Sequence, residues 1–167
     1  RQVYFTTRYA GSATGGLKSK NPPKRDGYHA KSTVLLNYDR CVGKRRVALV
    51  EGPFDMMAWD NAVALLGKTI NHEQVVLLER LVASGLEELV ISLDAEAGAE
   101  AIALHRMLSG RVPTVSVLFL DTGDPFDQRD RLRSLLPTRR QPTAVDQVRF
   151  GARRRAPVWA PTRKGSV

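Results

Sequence analysis

The sequence has little of what builds a disulfide framework, a zinc cluster or a membrane anchor. Its one cysteine, Cys41, excludes disulfides and Cys-rich zinc sites and is compatible with a reducing cytoplasm. Its three histidines, His29, His72 and His105, are scattered without metal-ligand spacing. No apolar run approaches the ~20 residues that span a bilayer. We therefore expect a cytoplasmic protein with no membrane association.

Acidic residues are scarce at both ends of the chain. Residues 1–46 hold 11 basic and 2 acidic residues, and residues 137–167 hold 8 basic and 1 acidic. Residues 47–136 hold 7 basic and 14 acidic residues, within a whole-chain net charge of +9. A general preference for arginine explains the total charge but not this segregation. An acidic centre between basic flanks is typical of a protein that binds metal centrally and grips a polyanion around it.

Two short acidic clusters follow apolar runs that read as buried parallel strands. Glu51 follows the run 47–50, and Asp94 and Glu96 follow the run 89–93. Ligands of parallel sheets bind beyond the carboxyl ends of the strands, which lie about 4.8 Å apart, so these carboxylates could jointly hold Mg²⁺. For either cluster alone, helix capping is an equally good interpretation. Two clusters in phase, with further acids downstream, favour metal-dependent phosphoryl transfer.

The periodicity predicts an α/β fold with a parallel sheet and right-handed crossovers. An Asn71 N-cap with Gln74 three residues later, and Gly85 beyond the end, define one helix most clearly. The predicted strands are 3–9, 47–51, 68–70, 88–94 and 114–120, and the predicted helices are 54–66, 71–84, 97–109 and 125–136. We divide the chain into a small basic α+β segment at 1–46, a core at 47–136, and a basic, Pro/Arg-rich tail at 137–167 that we expect to be extended.

Three segments of the core carry acidic motifs. Residues 50–55 read Val-Glu-Gly-Pro-Phe-Asp, residues 92–98 read Ser-Leu-Asp-Ala-Glu-Ala-Gly, and residues 123–127 read Gly-Asp-Pro-Phe-Asp. In this order they resemble the first motif, the Asp-x-Asp motif with the Ala-Gly of primases, and the primase Asp-Pro-Asp segment of the TOPRIM domain, a Rossmann-like fold shared by bacterial-type primases, topoisomerases and some nucleases. The stretch 61–74 is similar to the primase sequence that follows the first helix. The order and spacing of these motifs are more specific than any one of them.

Two positions depart from the family pattern. Glu96 stands where the family usually has Asp, which keeps the charge but moves the oxygens outward. Phe126 fills the position of the second carboxylate in the third segment, and Asp127 lies one residue later. Asp127 either compensates from a shifted backbone or leaves that metal position weakened.

Upstream of the core, a second resemblance narrows the class to bacterial and phage-type DNA primases. Lys18 precedes an Asn-Pro turn, and Lys31 precedes the segment Leu-Asn-Tyr-Asp-Arg at 36–40. The resemblance places both lysines in the catalytic basic set, with Lys20 as a near neighbour. Without the acidic motifs downstream, they would be interpreted as ordinary solvated charges.

The resemblance implies a primase-type nucleotidyltransferase that makes short RNA primers on single-stranded DNA in a bacterial or phage-infected cell. It implies Mg²⁺ or Mn²⁺ as cofactor, nucleoside triphosphates as substrates, and a replicative helicase or other replication protein as partner. Glu51, Asp94 and Glu96 would be catalytic with Lys18 and Lys31, and Asp124 and Asp127 would widen the metal site. Glu51 could instead act as general base.

Other functions stay open at this point. A TOPRIM nuclease would use similar acids, and a degenerate TOPRIM module would only bind nucleic acid or a partner protein. A topoisomerase is disfavoured because the four tyrosines all precede the acidic motifs. The chain starts without Met inside a predicted strand and has no cysteine cluster to read a template, so we interpret it as a piece or subunit of a larger primase.

Overall fold

A computed structural model of the chain describes residues 30–151 and the backbone of two short strands further upstream. Six strands and six α-helices lie in these parts. The strands are β1 (Thr7–Arg8), β2 (Ser19–Lys20), β3 (Arg46–Val50), β4 (Ala62–Ala64), β5 (Glu88–Ile91) and β6 (Thr114–Val117). The helices are α1 (Tyr38–Cys41), α2 (Pro53–Met57), α3 (His72–Ala83), α4 (Gly98–Leu108), α5 (Leu132–Leu135) and α6 (Ala144–Arg149).

Four of the strands form one parallel sheet in the order β4-β3-β5-β6. The chain leaves β3 toward β4 on one side and leaves β5 toward β6 on the other side. The strand order therefore reverses between the neighbouring strands β3 and β5, and the carboxyl ends of these two strands border the crevice where open α/β sheets bind ligands. This confirms the predicted α/β fold with a parallel sheet flanked by helices.

Helices cover both faces of the sheet because its strands are apolar on both sides. On one face, Val47, Leu49 and Ile91 join a core with Leu78 of α3 and Leu104 of α4. The opposite face is covered by α2, α5 and neighbouring loops. Two apolar clusters lie on this face. One contains Ala48, Val50, Ala62 and Ala64, packed with Leu36, Met56 and Trp59. The other contains Val90, Leu118 and Leu120, packed with Leu132 and Trp59.

The predicted helix 54–66 and the predicted strand 68–70 are wrong. Helix α2 ends at Met57, whose side chain is 70% exposed, and the next strand of the sheet is β4, Ala62–Ala64. Burial of β4 between β3 and the backbone of Leu36, with which Ala64 exchanges two hydrogen bonds, outweighs the helical periodicity of the sequence. A short run of Ala and Val can fill either element, so periodicity alone does not separate them.

The capping signals were more reliable than periodicity. Asn71 accepts a hydrogen bond from the Gln74 amide and the Gln74 side chain accepts one from Asn71, so α3 begins with the predicted capping box. Gly85 follows the end of α3 with φ +111°, as expected of a terminating glycine. Helix α4 also lies where the sequence predicts it, after a 3₁₀ turn at Ala95–Ala97.

The chain beyond β6 differs from the prediction in two respects. The expected helix 125–136 is helical only in α5, and turns occupy the residues before it. Part of the tail that was expected to be extended is helix α6, which begins with a Thr143–Asp146 capping box. Before α6, Arg140 exchanges two backbone hydrogen bonds with Val117 and so covers the edge strand β6.

The remaining predictions for the ends of the chain are tested only in part. Strands β1 and β2 pair antiparallel, and β1 lies inside the predicted strand 3–9. The division at residues 46 and 136 stays a prediction. Across the described ranges, no helix combines the length and apolar character that crossing a membrane requires.

Candidate active site

Glu51 lies directly after β3, at the carboxyl edge of the sheet where the strand order reverses. It is half-buried, and its Oε2 is buried without a hydrogen-bond partner among the described residues. Burial raises the pKa of Glu51, the neighbouring Asp94 carboxylate raises it further, and the Lys68 ammonium acts in the opposite direction. An unpartnered buried carboxylate oxygen is costly, so this position is suited to a cation.

Asp55 anchors the turn that follows Glu51. Its Oδ2 accepts a hydrogen bond from the Gly52 amide at 2.8 Å, which fixes the start of α2, where Pro53 occupies the first helical position. The Phe126 amide donates a second hydrogen bond to Asp55, so this carboxylate joins the first acidic segment to the third. Burial raises the pKa of Asp55 to about 6, and the Asp124 and Asp94 carboxylates act in the same direction.

Asp94 and Glu96 follow β5, the neighbour of β3. Asp94 is half-buried just before the 3₁₀ turn, and Glu96 is exposed within it. Burial raises the pKa of Asp94, and the carboxylate of Asp124 contributes next. The Asp94 carboxylate also raises the pKa of Glu51, so these two carboxylates lie close enough to repel each other across the crevice.

The third acidic segment closes the crevice from the loop after β6. Asp124 accepts a hydrogen bond from the Asp127 amide at 2.7 Å, and both carboxylates raise the pKa of Asp94. Gly123 allows this turn, because it has φ +69° and an added Cβ would lie 2.8 Å from Asp127 Oδ2. Its carbonyl accepts the Ala95 amide at 2.9 Å, which ties the loop to the β5 end.

Phe126 stands where the motif that this segment resembles has a carboxylate. The ring packs edge-on against Phe54 with centroids 5.6 Å apart, and the Arg129 guanidinium lies 4.8 Å from its centroid. Asp127, the candidate replacement, is exposed.

Lys68 is a charged residue of the crevice that the sequence reasoning missed. Its Nζ lies 3.2 Å from Glu96 Oε1. Its positive charge acts to lower the pKa values of Glu51 and Asp94, which burial and the neighbouring carboxylates raise. The Glu96 hydrogen bond in turn raises the pKa of Lys68. No local pattern in the sequence marks it, because its place near the acids depends on the path of the chain after β4, where a helix is predicted.

The two upstream lysines are not joined to the acids in the described structure. Lys18 lies outside the described residues, and of Lys20 only the backbone is described. Lys31 is exposed at the start of a 3₁₀ turn, Lys31–Thr33, and forms no ion pair with any described residue. Their proposed roles stay predictions.

The acids at the opposite, amino edge of the sheet differ from those at the carboxyl edge. At the amino end of β5, Glu88 is hydrogen-bonded by Arg139 at 2.6 Å, by Arg46 and by Ser116. Burial alone would raise its pKa, but these hydrogen bonds lower the pKa of Glu88 to about 2. The acids of the amino edge are neutralised by arginine, whereas Glu51, Asp55 and Asp94 at the carboxyl edge have raised pKa values.

The carboxylate set fits Mg²⁺ in donor chemistry but does not form a ready cage. Among the described residues, no three His, Cys, Asp or Glu side chains converge as a metal-binding group. Mg²⁺ in phosphoryl-transfer sites is commonly held by one or two carboxylates, water and substrate phosphates, so a preformed cage is not required. Glu51 and Asp94, on neighbouring strands, are the residues that best fit the ion.

These features define an α/β protein with an acidic crevice at the switch point of a parallel sheet. The Aquifex aeolicus primase, in a crystal structure of its zinc-binding and RNA polymerase domains, matches 83% of this chain at 24% identity with a TM-score of 0.64. The RNA polymerase domain of Mycobacterium tuberculosis primase DnaG matches 83% at 25% identity with a TM-score of 0.60. The chain has a primase-like fold and spans 37% and 52% of these two neighbours.

No protein-family model matches the sequence, and no curated protein matches it.

Proposed function

We propose that this chain is the catalytic part of a primase-type nucleotidyltransferase, with a TOPRIM domain over 47–136, that synthesises short RNA primers on single-stranded DNA. The observation that carries the proposal is the contrast between the two edges of the sheet. Acids at the amino edge are paired with arginine, whereas acids at the carboxyl edge are crowded and repel one another, and Glu51 Oε2 has no hydrogen-bond partner among the described residues. Such perturbed carboxylates in a crevice are typical of a functional site.

The proposed reaction is attack of a primer 3′-hydroxyl on the α-phosphate of a nucleoside triphosphate, with pyrophosphate leaving. Glu51 and Asp94 hold Mg²⁺ or Mn²⁺ at the carboxyl edge, and Glu96, Asp124 and Asp127 extend this acidic surface. Two such ions, when bound, lower the pKa of the hydroxyl and stabilise the leaving oxygen. Asp55 keeps the first and third segments in register through its two backbone hydrogen bonds.

In the proposed function, the basic flanks bind the negatively charged substrates. Lys18 and Lys31 neutralise triphosphate or template charge, and the charge of residues 1–46 attracts the single strand. Because the chain spans 37% and 52% of its primase neighbours, we propose that template recognition and efficient initiation require another part of a longer polypeptide or a partner such as a replicative helicase.

A second candidate is a module that binds nucleic acid or a partner without catalysis. The position of Phe126 favours it, because its ring packs on Phe54 where the family motif supplies a carboxylate. Under this alternative the crevice still attracts cations, but no nucleotide is transferred.

Template-directed extension of a supplied primer with labelled nucleotides, with and without Mg²⁺ or Mn²⁺, tests the proposal. We expect metal-dependent extension that Asp94→Asn reduces by about 100-fold or more, as loss of a key electrostatic group typically does. Asp60→Asn is the matched control, because Asp60 is exposed at the opposite edge of the sheet, before β4. Metal-dependent degradation of the labelled strand would indicate a nuclease, and metal binding without any transfer would indicate the binding module.

A further inference from the structure

The loop after β4 is held in place where it begins, at Leu65 and Leu66. The Leu65 and Leu66 amides donate to the carbonyls of Val50 and Glu51 at 3.0 and 2.8 Å. The buried Gln74 side chain donates to the Leu65 carbonyl at 3.0 Å and to the Val34 carbonyl at 2.9 Å. The loop that carries Lys68 is therefore attached to the backbone of Glu51 itself.

The backbone of this loop is strained at Leu66, which has φ +61°. A bulky non-glycine residue in the left-handed region is uncommon, and such strain is retained where the surrounding structure requires it. Here it turns the chain back over the end of the sheet, two residues before Lys68. The ammonium thereby reaches Glu96 at 3.2 Å, although the Glu96 side chain is 79% exposed.

The Lys68–Glu96 pair has a consequence for metal binding. Lys68 carries a positive charge beside Glu51 and Asp94, where a divalent cation would be held, and it occupies a carboxylate oxygen of Glu96. A metal ion that binds Glu96 through Oε1 must displace this ammonium. The released lysine is then a compact positive charge beside the metal, which is the form in which Lys binds phosphate.

Building on the proposed function, we propose that Lys68 is an exchange cation. In the free protein it offsets part of the negative charge of the crevice and holds Glu96; when a divalent ion binds, it releases Glu96 and binds a phosphate oxygen of the incoming nucleoside triphosphate. Lys68 thus weakens binding of metal alone and strengthens binding of the metal–nucleotide complex, which favours the two arriving together.

The test is two titrations of the full 167-residue chain, one with Mn²⁺ alone and one with a nucleoside triphosphate at saturating Mn²⁺. We expect Lys68→Met to bind Mn²⁺ about three- to tenfold more tightly and the nucleotide about three- to tenfold more weakly than the parent. Lys68→Arg keeps the charge and should change both affinities far less. Arg106→Met, which removes an exposed positive charge in the last turn of α4, should change neither affinity.

If Lys68 had a merely structural role, Lys68→Met would change the Mn²⁺ affinity and the nucleotide affinity in the same direction. Changes in opposite directions therefore distinguish the exchange role from a structural one. Mn²⁺ affinity that is unchanged or weaker in Lys68→Met overturns the inference, and so does unchanged nucleotide affinity. If the parent chain itself binds no Mn²⁺, the metal-dependent function fails first and the exchange role falls with it. Circular dichroism of each variant establishes that the fold is retained.

Discussion

At Asp55, one carboxylate meets two opposing demands. Its hydrogen bonds from the Gly52 and Phe126 amides favour the ionised form, whereas burial and the Asp124 and Asp94 carboxylates disfavour it. Burial prevails, because the pKa is raised to about 6. In the structure, this carboxylate contacts backbone amides.

Two substitutions of Asp55 separate the effect of its hydrogen bonds from the effect of its buried charge. Asp55→Ala leaves two amides without their acceptor, so we expect it to lower the free energy of unfolding by about 1–3 kcal/mol in urea denaturation near neutral pH. Asp55→Asn keeps an acceptor oxygen and removes the repulsion, so it should cost much less. Asp60→Ala, at an exposed aspartate, is the control and should stay within about 0.5 kcal/mol of the parent. Equal losses in Asp55→Ala and Asp60→Ala would contradict the role of the hydrogen bonds.

How much of the site could be predicted from sequence also depends on single residues. Glu51 and Asp94 were identifiable because a strand followed by an acid puts that acid at a known edge of a parallel sheet. Lys68 was not, because its position depends on the left-handed conformation of Leu66 and on hydrogen bonds from Gln74. Neither is encoded in a local pattern.

At the scale of elements, the segment after β6 shows how a sequence without periodicity can still be well packed. The Phe150 ring stacks on Phe119 with centroids 5.2 Å apart, and a Cβ added at Gly98 would lie 2.3 Å from it. Gly98 therefore makes room for Phe150, because any side chain at this position would overlap the ring. Arg140 adds a guanidinium 5.2 Å from the Phe119 ring centroid and a two-point hydrogen bond to Asp146.

Removing the Phe150 ring should destabilise the packing of the segment after β6. We expect Phe150→Ala to lower the free energy of unfolding by about 2 kcal/mol, because a largely covered aromatic ring and its stacking are lost. Val148→Ala on the same helix is the matched control, since Val148 is 83% exposed and should cost less than about 0.5 kcal/mol. Urea denaturation of the two variants measures the difference, and indistinguishable midpoints would show that α6 does not pack stably on the core.

The two helix errors differ in physical cause. In the window 54–66, the mixed Ala, Val and Leu residues satisfy both the strand and the helix pattern, and tertiary burial decides between them. The window 125–136 is mostly polar, and its residues before α5 form turns. The capping boxes at Asn71 and Thr143 are local hydrogen-bonding patterns and do not depend on tertiary context. The second of these is readable in the sequence as Thr-Ala-Val-Asp, within a segment that is otherwise rich in Pro and Arg.

At the scale of the whole molecule, the sheet separates two electrostatic environments. The amino edge joins Glu88 to Arg46 and Arg139, and Arg45 pairs with Glu87 nearby. The carboxyl edge holds Glu51, Asp94 and their neighbours with raised pKa values. A ligand that brings positive charge relieves the second edge and has little effect on the first.

This separation predicts a stability maximum in acid when divalent metal is absent. An acid whose folded pKa is raised contributes stability below its unfolded pKa and loses it as pH rises through the folded value. For Asp55 the loss should therefore run from about pH 4 to about pH 6, with Glu51 and Asp94 acting in the same direction. Glu88 has a lowered pKa of about 2, so its contribution is lost as pH falls from about 4 toward 2. The metal-free chain should be most stable between these windows.

Urea midpoints measured across this pH range in the presence of a chelator test the expectation. Asp55→Asn should flatten the decline on the neutral side and leave the acid side unchanged, because the amide does not titrate. Glu88→Gln should do the reverse, since it removes the carboxylate that Arg139 and Arg46 stabilise in its ionised form. A parent profile that rises steadily from about pH 4 to about pH 7 would contradict the argument, because the crowded carboxylates would then not oppose folding when ionised.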